Sequence, residues 1–151
     1  MINFTISGNP VSSKNSRPIF INKATGSRFI GKSKLLKDYI DKGLWELYKQ
    51  LKNSDFKYTV ECVMDFQTGI LHRIKHPFFP IKNDIEITFK FYVKDNRRRD
   101  LVNLCQAPLD LLQKAGIISD DSIVKSLDGS RIYIDKSNPR TLVEIRVYKN
   151  D

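Results

Sequence analysis

The sequence predicts an α+β fold in a single domain, a small mixed sheet packed with two main helices. Three observations predict it. Residues 85–93 alternate apolar and polar side chains without a break, as a strand with one buried face does. From Leu35 to Leu51 apolar side chains instead recur three and four apart, the period of an amphipathic helix. Alternating runs at both ends of the chain, around Ile2–Ile6 and Val143–Val147, supply further strands on either side. A chain of 151 residues is long enough to bury one hydrophobic core, so residues 1–151 are read as one unit.

Ile2, Phe4 and Ile6 open the chain as a first strand, and Gly8-Asn9-Pro10 breaks it. A polar loop follows through Ser12, Ser13, Lys14, Asn15, Ser16 and Arg17. Residues 19–22 and 28–30 then suit a short hairpin around Lys23-Ala24-Thr25-Gly26. Ser33 is a fitting N-cap for a helix of roughly twenty residues. Its stripe is Leu35, Leu36, Tyr39, Ile40, Leu44, Leu47, Tyr48 and Leu51. Trp45, beside that stripe, is expected in the core, and Gly43 should weaken the helix by about 1 kcal/mol relative to Ala.

Val60, Cys62, Met64 and Phe66 alternate as a strand that Gly69 turns. His72 and His76 would share a face on a helix, but Pro77 and Pro80 argue against one, so no metal site is expected there. Phe78 and Phe79 suit a core or dimer contact better than a wedge into nucleic acid. The strand Ile85–Val93 runs into Lys94-Asp95-Asn96-Arg97-Arg98-Arg99-Asp100. A second helix starts near Asp100–Asn103 and ends at Gly116, with Pro108 expected in its early turns. Residues 123–124, 132–134 and the run Val143, Ile145, Val147 complete the strands.

Lys and Arg number 26 against 17 Asp and Glu, a formal charge of +9, and the excess lies in the first half. Residues 1–53 carry ten basic and three acidic side chains, whereas residues 100–151 carry seven and eight. A polyanionic partner, most simply nucleic acid, fits that balance, and an unevenly charged solvated surface is the bland alternative. No run reaches the ~18 apolar residues of a membrane helix, and the N-terminus does not read as a signal peptide, so a cytoplasmic protein with no membrane partner is expected. Two cysteines, Cys62 and Cys105, are too few for a disulfide scaffold.

Asp100 at the start of the second helix and Asp120-Asp121 after its end are the candidate chemistry. A helix of ~14 residues spans ~21 Å, so these acids meet only if the chain runs back alongside the helix. Clustered carboxylates repel one another, and a hard cation such as Mg²⁺ is the usual means of holding them together. Such an ion orients water and steadies phosphoryl charge in nucleases. The alternative is that Asp100 only caps a helix and Asp120-Asp121 form a solvated turn.

The run Arg97-Arg98-Arg99-Asp100-Leu101-Val102-Asn103, then Asp110-Leu111-Leu112, Lys114-Ala115-Gly116-Ile117-Ile118 and Asp120-Asp121-Ser122, resembles the RusA family of Holliday-junction resolvases, often carried by prophages. Residues 6–17, with Gly8-Asn9-Pro10-Val11-Ser12-Ser13-Lys14-Asn15-Ser16-Arg17, are similar to the family's opening strand and loop. The resemblance implies a homodimer that binds branched DNA, the four-way junction, and cuts it with Mg²⁺ (or Mn²⁺) in recombination and repair. It places two metal-binding, catalytic aspartates on Asp100 and Asp121. The family's second Asp falls on Val102 and its Lys on Gln106, two departures at the active centre. Asn103, Asp110 or Asp120 are the candidates for a replacement oxygen. Lys14, Arg17, Arg97, Arg98 and Arg99 are expected to contact DNA, the alternative being a solvated loop and a solubilising run. Residues 54–82 look longer than the family needs and read as an insertion.

Two function classes follow, with a third behind them. One is a working Mg²⁺-dependent crossover junction endodeoxyribonuclease with an altered metal site. The other is a catalytically impaired relative that binds branched DNA without cutting it. A generic basic RNA-associated protein leaves the acidic pattern unaccounted for.

Overall fold

The computed structural model describes residues 1–12, 18–31, 33–54, 58–65 and 70–149, the backbone alone at 29–30, 58–65 and 70–77. Alternation at the N-terminus forms strand β1 (Ile2–Ser7), which buries Phe4 and Ile6. Strands β2 (Ile19–Ile21) and β3 (Arg28–Ile30) pair antiparallel as the expected hairpin. Helix α1 (Lys34–Lys52) starts where its cap predicts, with the Ser33 side chain accepting the Leu36 N–H at 3.2 Å.

The buried stripe of α1 is narrower than the sequence suggests. Leu36, Tyr39, Ile40, Gly43 and Leu47 are buried, whereas Leu35, Tyr48 and Trp45 are exposed. Each of these three lies one residue from a stripe position and so about 100° further round the helix. Trp45 is therefore not core; its indole is 59% exposed and lies 3.5 Å beneath the Lys49 ammonium. Tyr48 reaches sideways and donates its hydroxyl to the Lys114 carbonyl.

Strands β4 (Tyr58–Asp65) and β5 (Ile70–Pro77) pair antiparallel in a two-stranded sheet of their own. Phe66 and Gly69 lie outside the described residues. His72 and His76 occupy a strand and not a helix, with backbone positions about 13 Å apart.

Strand β6 (Ile85–Val93) is buried at every second residue and forms the centre of the main sheet. Helix α2 (Leu101–Lys114) follows it. After a 3-10 turn, Asp121–Ile123, come β7 (Val124–Ser126), β8 (Arg131–Ile134) and β9 (Arg140–Val147). Strand β9 lies antiparallel between β1 and β6. The far edge of β6 is shared by two short parallel strands, β7 at its start and β8 at its end. Ile123, expected in a strand, belongs to the 3-10 turn. The sheet is mixed and the two helices cover one of its faces, as an α+β fold requires.

One core joins these layers. It contains Ile6 of β1, Leu36 and Leu47 of α1, Phe89 and Phe91 of β6, Leu111 and Leu112 of α2, and Ile145 of β9. Gly43 sits where α1 meets β1 and α2: a Cβ there would lie 2.9 Å from Leu111 Cδ1 and 3.2 Å from Ile6 Cγ2. The glycine that costs helix propensity is thus what lets the helices approach. Thr141, fully buried, shares a 3.3 Å hydrogen bond with the Tyr39 hydroxyl, whose pKa burial pushes up to about 12. Phe79 packs near Phe4, and Phe78 meets it edge-on at 4.9 Å; both are half-buried.

Helix α2 ends as Gly116 predicts. With φ +70° at Gly116, its N–H reaches the Gln113 carbonyl and the Ile117 N–H reaches that of Leu112, a Schellman motif. Pro108 is not in the early turns. It is buried in the interior of α2, so the Leu104 carbonyl has no N–H at that position to accept.

Candidate nucleic-acid interface

Asp100 is the N-cap of α2. Its Oδ1 accepts the Val102 and Asn103 N–H groups at 2.9 and 3.3 Å, and its Oδ2 accepts the Asn103 side-chain amide at 2.9 Å. The capping reading is therefore real, and it holds the exposed carboxylate at the positive end of the helix dipole.

The Arg run beside it divides. Arg99, whose side chain is 14% exposed, turns inward: Nη2 donates to Asp95 Oδ1 at 2.6 Å and Nη1 to the Asp95 and Arg97 carbonyls. That guanidinium pulls the Asp95 carboxyl below its usual range. Arg99 was expected on DNA, but its donors are committed to holding the loop. Arg97 and Arg98 point outward, Arg97 being 84% exposed with only a 3.8 Å approach to Asp95.

Two other segments converge on this end of the sheet. Asn9 Oδ1 accepts the Lys94 N–H at 2.9 Å, and the Gly8 N–H donates to the Pro139 carbonyl. The Asp135 N–H donates to the Val93 carbonyl, which brings the start of the loop that carries Lys136 against the end of β6. Asp135 itself is bound by Arg140 Nη1 at 2.7 Å, by the Asn138 N–H and by the Ser137 hydroxyl, which lower its pKa to about 2. With Asp95 and Asp135 each tied to an arginine, the exposed Lys94, Arg97, Arg98 and Lys136 outnumber the exposed Asp100 on these loops. Lys94 and Lys136 had no motif to single them out. Lys14 and Arg17 lie outside the described residues.

Asp120 and Asp121 are elsewhere. Asp120 caps the 3-10 turn, Oδ1 accepting the Ser122 N–H at 3.0 Å and Oδ2 the Gln113 amide at 3.2 Å. Those bonds, that of Ser122 foremost, lower its pKa. Asp121 is exposed and borders a small cleft with Leu109, Val124, Lys125 and Leu127. Gln113 is in the last turn of α2 and Leu109 in its middle, so these acids sit roughly 14 to 20 Å along the helix from Asp100. The connection is pinned there by Ile81, which bonds Ile117 and Ser119. Val102, 67% exposed, and the half-buried Gln106 occupy the exposed side of α2 between the two ends, and Asp110 lies further along it.

Among the described residues no three acidic, His or Cys side chains converge to hold a metal. The described residues of one protomer therefore do not by themselves gather such a site.

A family model described as Endodeoxyribonuclease RusA matches residues 8–146, nearly the whole chain. The chain belongs to the RusA family. No curated protein matches it. RusA membership assigns it to the Holliday-junction resolvases, and the mixed sheet with two helices is the fold expected of that family. Among the described residues no helix is long and apolar enough to cross a membrane.

Proposed function

We propose that this chain binds four-way DNA junctions through the basic end around Asp100 and cuts them as a homodimer with Mg²⁺ or Mn²⁺. The observation that carries the reading is the exposure of Lys94, Arg97 and Arg98 on the loop that leads to Asp100, a carboxylate fixed at a helix N-terminus, in a chain of this family. The cations seat phosphates, and the Asp100 cap sets where the acid stands relative to them. Asp121 belongs to the same catalytic set and Asp120 or Asn103 supplements it, in place of the carboxylate that Val102 lacks. Residues 54–82, with the β4–β5 hairpin, are an insertion in this reading, and the protein works in the cytoplasm on recombination and repair intermediates.

The distance between Asp100 and Asp121 in one protomer favours a dimer in which each site draws acids from both copies, and a two-fold dimer suits a two-fold junction. Labelled junctions should be nicked on addition of Mg²⁺ or Mn²⁺, and Asp121→Asn should abolish the product. Mixing Asp100→Asn with Asp121→Asn protomers tests the shared site. Heterodimers then hold one intact site of two, and cutting returns to about a quarter of wild type at random pairing. No recovery refutes sharing, and no cutting by wild type at any protein level refutes the nuclease.

The second reading, junction binding without cleavage, is favoured by Val102, since an alkyl side chain cannot coordinate a hard cation. It expects salt-sensitive junction binding with no product, and cutting gained in the Val102→Asp, Gln106→Lys double variant.

A further inference from the structure

The uncovered face of the sheet carries an ordered stack that the junction reading does not use. Arg140 of β9, Tyr92 of β6 and Tyr133 of β8 are register partners on three neighbouring strands. The Arg140 guanidinium lies 3.8 Å from the Tyr92 ring centroid, and the Tyr92 and Tyr133 rings stack at 5.1 Å and 20°. The stack is fixed at its inner end, where Asp135 and the Asn138 carbonyl each hold Arg140 at 2.7 Å. Its outer end is open. Among the described residues no strand pairs the outer edge of β8, and Tyr133 is 38% exposed.

We propose that Tyr133 is a stacking platform for a DNA base unstacked at the branch point, which takes the next place in the ladder beyond the sheet edge. This rests on the junction-binding reading. Three features favour a base over another occupant. The ladder ends in a flat aromatic face, which every base can match. Arg131, exposed two residues earlier on the same face of β8, stands about 6.6 Å away, within reach of a phosphate adjoining that base. The platform also lies at the end of β6, one residue before the strands give way to the loops that carry Lys94 and Lys136. The cleft beside it holds Glu86, Glu144 and Asp128 against Lys90, Arg131 and Arg146, so its charges balance, and Arg146 bridges the two glutamates. Since the ladder is already ordered, a base that joins it meets little ordering cost.

The test uses the full-length protein with a four-way junction and a linear duplex of the same sequence. A base stacked on an aromatic residue is worth ~1–3 kcal/mol, roughly a 5- to 150-fold change in affinity. Tyr133→Ala should weaken junction binding by that factor and leave duplex binding and its salt dependence unchanged. Tyr133→Phe should retain the preference. A junction carrying 5-bromodeoxyuridine at the branch should crosslink on irradiation to the peptide holding Tyr133, and one carrying it mid-arm should not. Equal loss on junction and duplex, no loss at all, or a crosslink confined to other segments overturns the platform. So does a shift from dimer to monomer in Tyr133→Ala on sedimentation, which would make β8 a contact between copies. A wild-type protein that binds no DNA overturns the junction reading and the platform together. Wild-type binding that ignores Tyr133 overturns only the platform.

Discussion

Replacing Gly43 by Ala sets two known effects against each other at one position. In the interior of α1, Ala is favoured over Gly by about 1 kcal/mol. The new Cβ, however, would stand 2.9 Å from Leu111 Cδ1 and 3.2 Å from Ile6 Cγ2, both side chains fully buried. Real Cβ atoms do not approach to 2.9 Å, so Leu111 must leave its rotamer or α1 must move off α2. Overpacking of this kind costs about 1–3 kcal/mol. The net expectation is destabilisation by ~0.5–2 kcal/mol, a fall in Tm of roughly 1–8 °C for a domain of this size. Thermal and urea unfolding of Gly43→Ala alone, of Leu111→Ala alone and of the pair measure it. Because the Leu111 truncation makes room for the new methyl, the double variant should be more stable than the two single losses predict, by ~0.5–3 kcal/mol. Stabilisation of the single variant by the full helix-propensity gain, with strict additivity in the pair, would refute the close-approach argument.

The remaining expectations concern other parts of the molecule. Tyr39→Phe leaves the buried Thr141 hydroxyl without that bond and should cost about 1–3 kcal/mol, while Tyr39→Phe with Thr141→Val should recover much of it in chemical denaturation. Arg98→Ala should lower the slope of log K against log salt for junction binding by about 1, whereas Arg99→Ala should lower Tm. Asp135 has a native pKa of about 2 against ~3.9 unfolded, so its contribution is whole above pH ~4 and is lost as pH falls toward 2. Its carboxyl carbon, followed by NMR, should titrate at that lower value, and Arg140→Ala should raise the midpoint. Val102→Asp should alter stability by less than about 1 kcal/mol, since the side chain is 67% exposed and an acid suits the first turn, and should tighten Mn²⁺ binding followed by EPR.

What could be read from the sequence was local. Strand β6, the Ser33 and Asp100 caps and the Gly116 stop are written in a few adjacent residues, and each stands where its pattern places it. Trp45 misled because an aromatic beside an apolar stripe looks the same on paper whether it lies inside the buried arc or 100° beyond it. Pro108 misled because its tolerance inside α2 depends on the packing around the helix, not on neighbours in sequence. The sharing of one β6 edge by β7 and β8 depends on parallel pairing between distant segments. The same limit applied at the site. Asp100 was legible as cap and candidate ligand, but its distance from Asp121 depends on how the chain leaves α2. Arg99 could not be told from Arg97 and Arg98 until Asp95 was seen to claim it. Tyr92, Tyr133 and Arg140 are ordinary outward residues on their own strands and become a stack only through the register of three.

The caps bear on how such a centre decays. Asp100 begins α2 and Asp120 begins the 3-10 turn, so folding alone would keep both even in a protein that had stopped cutting DNA. The position of Val102 has no such duty: it lies exposed in the first turn, where an acid can be exchanged for an alkyl group at almost no cost to the fold. Asp121 has no capping bond to protect it either, yet the acid is still there. A capping aspartate testifies mainly to the helix it starts, so in the proposed nuclease reading Asp121 is the more telling of these residues.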